Sequence, residues 1–253
     1  MKYTFCIDNQ SELERYQSFL FQHEHRIQSY IEHLIAEYQV KELPEYIVLS
    51  NFENATKVLS EIKIPAYTNE VRMVITPDLS VWKGIYLKQL ADYPDDEKTD
   101  FVKAHYQNMG EHSILQIIGH ELAHHSELFL DDFEDEKIEA GIWFEEGMVE
   151  YISRRYFFTE EEYEKEKTAN QFLVDLFEKN NRADTIEKFG KTTYNESYAA
   201  IFYEYWRSFL LVDELVEKFG SCHRVFESYH QWHRDGRKIP LSKWFERKLE
   251  EGL

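Results

Sequence analysis

The chain has 253 residues, 43% of them apolar and 16% aromatic, and a formal net charge of −19. That apolar content excludes a disordered chain and is ample for a core. A field so negative repels phosphate backbones and anionic lipid, so neither nucleic acid nor a membrane is an expected partner. The opening run, "MKYTFCIDNQSELERY", lacks the apolar stretch of ~7–15 residues found in a secretory signal. No window approaches the ~18 apolar residues of a membrane span. A cytoplasmic location is expected, with Cys6 and Cys222 as free, buried thiols, and the oligomeric state is left open.

In chain order, "KYTFCID" alternates as a short strand, and residues 11–38 repeat as a long amphipathic helix. Ser11 and Glu14 have the spacing of a capping box at its start. "EYIVLS" and "EVRMVI", bounded by Pro44 and Pro77, are β-branched and read as strands. The second is expected at a sheet edge, where an extended peptide could pair with it. "LSVWKGIYLKQL" places Leu79, Trp82, Tyr86 and Leu90 on one helical stripe. Beyond about residue 110 the pattern is helical, over roughly 111–126, 141–156, 160–180, 195–219, 221–233 and 240–251. Thr159 with Glu162 forms a second capping box, Asn195 is placed to cap the helix that Gly220 ends, and the acidic "DDFEDEKIEA" is expected to be an exposed connection. The fold class expected is α+β and predominantly helical. A small mixed sheet lies in an N-terminal lobe, about 1–132, and the C-terminal lobe, about 133–253, is helical.

"IIGHELAHHSELF", residues 117–129, concentrates polar groups in a helix otherwise made of Ile114, Ile117, Ile118, Leu122 and Ala123. His120 and His124 stand one turn apart on one face, so both imidazoles can reach a single metal ion. Glu121, next to the first histidine, is angled to reach a water on that metal and take its proton. A zinc site needs a third protein ligand, with a fourth position left for water. The continuation HExxHxxGxxH fails, because Glu127 and Leu130 occupy its Gly and His positions. The acids of "IWFEEGMVEYI" are the alternative, since two adjacent carboxylates in so apolar a stretch need something to neutralise them. Periodicity favours Glu145, which shares its face with Ile142, Met148, Val149 and Ile152, over Glu146. Other histidines, including His23, His25, His33, His105, His112, His230 and His233, read as surface or packing residues.

"GHELAHH" followed by "WFEEGMVEYI" resembles the gluzincin zinc metallopeptidases, the clan of thermolysin-like and aminopeptidase-N-like enzymes, in which HExxH precedes W-[LF]-x-E-G-[FMLA]-x-x-Y. The resemblance covers about 35 residues. It implies a single two-lobed thermolysin-like catalytic unit over 1–253, with Zn²⁺ held in the cleft by His120, His124 and Glu146. It also implies Glu121 as general base and Glu150, one turn beyond Glu146, as a group that orients His120. The oxyanion-stabilising tyrosine of such enzymes corresponds to Tyr198, with Tyr194 as the alternative. The aminopeptidase GxMEN segment is missing; "YTNEVRM" is the nearest run, so specificity for amino termini does not carry over. The expected substrate is a peptide or protein. The alternative is a zinc-containing protein that binds peptide or regulates without cutting, for which Glu121 would have no use.

Overall fold

A computed structural model describes residues 1–91, 93–130, 141–181 and 184–252, and the fold is mainly helical with one four-stranded sheet. The acidic connection expected at 131–140 lies outside the described residues. The chain forms two compact units, one of residues 1–127 and 152–165, the other of 128–151 and 166–253.

The first unit contains β1 (Lys2–Cys6), α1 (Gln10–Glu37), β2 (Tyr46–Ser50), β3 (Ala66–Thr68), β4 (Arg72–Ile75), α2 (Leu79–Lys88), α3 (Glu97–Gln107) and α4 (Glu111–Ala123). The strand order is β1-β2-β4-β3, parallel except for β3, which runs antiparallel to β4. The segment "EVRMVI" is therefore not the edge: β4 is paired on both sides, and the outer strand is the short β3, too brief to show an alternating pattern. Val48 and Val74 face a small cluster with Ala55, bordered by Cys6, Tyr46, Leu59 and Tyr67. By strand alternation Ile47, Leu49, Met73 and Ile75, all buried, point to the opposite side. Helix α4 packs on β3 and β4 and against α1.

The second unit takes its core from aromatic side chains. It includes the start of α5 (Ile142–Phe157), most of α6 (Glu160–Asn180), then α7 (Tyr198–Phe219), α8 (Cys222–Arg234) and α9 (Leu241–Glu251). Phe144 of α5 stacks on Tyr229 with ring centres 4.6 Å apart and meets Phe226 and Phe245 edge-on or tilted at 5.8 and 5.6 Å. Trp143 and Phe219 each meet Phe245 edge-on. Such pairs add to the burial of their large apolar surfaces, so much of the aromatic excess in the composition is core. No helix among the described residues is long and apolar enough to cross a membrane.

Helix starts follow local side-chain chemistry. Helix α1 is capped by Asn9 and not by the Ser11 and Glu14 pair: the Asn9 side chain accepts from the Glu12 amide at 2.9 Å and donates to the Glu12 carboxylate at 2.8 Å. Asn195 sits in a preceding 3₁₀ turn, and Ser197 caps α7. Thr159 and Glu162 make the expected reciprocal bonds at the start of α6. Neither cysteine is in a disulfide, and both are half-buried and not the fully buried thiols expected. Asn9→Ala should therefore lower stability by about 1 kcal/mol in urea unfolding, whereas Ser11→Ala should leave the midpoint nearly unchanged.

Candidate metal centre

Helix α4 is buried along nearly its whole length, and its last turn carries His120 and Glu121, which are only 6% and 7% exposed. The helix stops sooner than its apolar pattern, at Ala123, with His124 as the C-cap residue. The amides of His125 and Ser126 bond back to the Leu122 and Ala123 carbonyls, tightening the final turn. Ser126 then bridges to Val40, and its hydroxyl donates to the Tyr38 carbonyl. The turn after the second histidine is thereby tied to the end of α1. A cation held here also lies near the negative end of the helix dipole.

His125 leaves the helical pattern for a separate reason. Its Nε2 is 2.8 Å from the Thr68 hydroxyl on β3. Burial, with a smaller contribution from His124, pushes its pKa down to about 4, so the ring is neutral at ordinary pH and links the outer strand to the end of α4.

The pose of α5 begins with contacts inside the first unit. Gln116 donates to the Ser153 hydroxyl at 2.9 Å. At Gly119 an added Cβ would stand 2.7 Å from the Phe157 ring and 3.1 Å from that of Tyr30. The small residue before His120 therefore makes room for two aromatic rings. Ser153 and Phe157 belong to a helical stripe that also carries Glu146 and Glu150, at spacings of four, three and four. Along that stripe Glu146 and Glu150 are both buried, at 3% and 7% exposure.

His120, His124 and Glu146 come together: each offers one ligand atom, and all three atoms lie within 4.8 Å of one another. The two imidazole Nε2 atoms are 3.2 Å apart, with the rings inclined at 75°. With protons alone, one ring must donate to the other. A shared cation would instead satisfy both lone pairs. Glu145 is buried as well, but the carboxylate grouped with the histidines is Glu146, one residue away from the choice that periodicity favoured.

Gly147 has its own role. A Cβ there would fall 2.5 Å from the Ser208 carbonyl oxygen and 2.7 Å from Val212, so α5 and α7 cross nearly backbone to backbone. One turn before Ser208, Tyr205 is thereby brought to Glu146: its hydroxyl is 3.4 Å from Oε1. Tyr194, in the 3₁₀ turn Lys191–Asn195, donates to the same oxygen at 3.0 Å, and the two hydroxyls are 2.9 Å apart. Tyr198 opens α7, half-buried, with its ring stacked on Phe202; burial raises its pKa, which keeps the hydroxyl protonated. Tyr205 was not singled out from sequence, although Tyr198, Phe202 and Tyr205 share one face of α7.

Against protein-family models, curated proteins and solved structures the chain returns no significant match. Its chemistry is therefore read from the residues themselves. Gly147→Ala should destabilise the protein by about 1–3 kcal/mol, the range for overpacking a tight contact, because a backbone carbonyl cannot swing aside as a side chain can. Urea unfolding of the variant measures it.

Proposed function

We propose that the chain is a zinc-dependent peptidase of the gluzincin kind, with a thermolysin-like catalytic unit, acting on peptides or proteins in the cytoplasm. The observation that carries this is the convergence of His120, His124 and Glu146 with Glu121 buried directly beside the first histidine. Two nitrogens at about 2.0–2.1 Å from one tetrahedral zinc stand roughly 3.3–3.4 Å apart, close to the 3.2 Å between the imidazole nitrogens. Two imidazoles and one carboxylate are also a donor set typical of catalytic zinc.

Zinc held by these residues would lower the pKa of a water toward neutrality and polarise a scissile carbonyl. Glu121 would take a proton from that water as the water oxygen attacks the carbonyl carbon. It would return that proton to the amide nitrogen as the C–N bond breaks, and with the second proton of the water passing to the released nitrogen the products are a carboxylate and an ammonium group. Tyr198 donates a hydrogen bond to the oxyanion from the start of α7. The outer edge of β3, joined through Thr68 to His125, takes the substrate in extended form by strand addition.

Glu121→Gln separates chemistry from metal binding. The variant should keep one zinc per chain while peptide hydrolysis falls by about 10²–10⁴-fold. His120→Ala should lose both zinc and hydrolysis. A wild-type protein that carries zinc yet cleaves nothing in a broad peptide library would point instead to a binding or regulatory protein. A wild type that holds no zinc would overturn the proposal.

A further inference from the structure

Glu146 is approached by two phenol hydroxyls, both directed at the same carboxylate oxygen. Tyr194 and Tyr205 lie 3.0 and 3.4 Å from Oε1 and 2.9 Å from each other. This triangle is assembled from three separate parts of the sequence: α5, the 3₁₀ turn at 191–195, and α7. Its rings are held from behind by Phe189, which is fully buried and whose ring centre lies 6.4 Å from that of Tyr194 and 5.4 Å from that of Tyr205. The carboxylate's distance is held by the crossing of α5 and α7 at Gly147 and Ser208. Packing alone asks only for the rings. Phenylalanine would fill the same volume without a hydroxyl to satisfy, whereas here both hydroxyls are directed at Glu146.

From this we infer that Tyr194 and Tyr205 are positioning residues that clamp Oε1 of Glu146 and make it a one-oxygen metal ligand. The inference rests on the proposed metal centre. A carboxylate near a divalent ion can turn to bring both oxygens to it. Hydrogen bonds to Oε1 oppose that rotation, so the carboxylate keeps one orientation and the ion a lower coordination number. Outer hydrogen bonds of this type act on affinity and geometry without touching substrate. The role differs from that of Tyr198, which is proposed to face the reacting carbonyl.

The test uses the full chain, stripped of metal and titrated with Zn²⁺ against a chelating dye, then with Co²⁺ while its visible absorption is recorded. Tyr194→Phe and Tyr205→Phe should each weaken zinc by about 10-fold, at the lower end of such outer-sphere effects. The double variant should weaken it by less than the product of the two, because both hydroxyls act on the same carboxylate oxygen. At saturating Co²⁺ the variants should absorb more weakly than wild type as the carboxylate turns to give a second oxygen, a change that simple loss of packing would not produce. Tyr203→Phe, on the same helix but with its hydroxyl on Glu178, should leave both readouts unchanged. If wild type binds zinc, His120→Ala abolishes it, and the Phe variants match wild type in affinity and Co²⁺ spectrum, the clamp is wrong and the metal centre stands. If wild type binds neither ion, the metal centre falls and the clamp with it.

Discussion

Burying imidazoles and carboxylates among Ile, Leu and Trp is unfavourable unless each group is given a partner, and much of this structure is arranged around that requirement. His120, Glu121, Glu146 and Glu150 are all nearly inaccessible, on two helices that also carry many buried apolar residues. At Oε1 of Glu146 the demand is met by hydroxyls from Tyr194 and Tyr205. Their approach in turn requires a residue without a side chain at 147. At the end of α4 the histidine pair is followed by a turn fixed by Ser126 to α1 and by His125 to β3. The polar groups thus determine where helices cross, where they stop and which small residues are needed.

The helical half was legible because its signals are local. The apolar period, the capping pair Thr159 and Glu162, and Gly220 with φ of +84° set boundaries that the structure reproduces closely. Where several polar residues crowd one helix start, the choice was less legible. Asn9 and Ser197 cap in place of Ser11 and Asn195, since the backbone can begin a helix at any of them and tertiary packing decides. Strand β3 has three residues and α3 is weakly amphipathic; neither announces itself by periodicity, although Asp96 and Thr99 do form a capping box.

The site divides along the same line. The spacing of His120 and His124 is a property of one helix and could be read directly. Choosing Glu146 over Glu145 depends on how α5 is rotated, which Ser153 and Phe157 set through partners more than thirty residues earlier. Tyr205 was invisible for a stronger reason. Its relation to Glu146 passes through the contact of Gly147 with Ser208, 61 positions away along the chain, and no helical period encodes such a pairing. The carboxylate and the crossing point that supplies its neighbours are adjacent residues, Glu146 and Gly147.

That crossing also has a mechanical meaning. Most helix pairs touch through a layer of side chains, which can change rotamer and absorb small displacements. At Gly147 and Ser208 that layer is missing, and peptide groups bear directly on one another. A shift of α7 is passed to α5 undamped at the residue next to Glu146. The carboxylate and Tyr205 therefore ride on one stiff joint, and a substitution that moved either helix at that point would move both groups together.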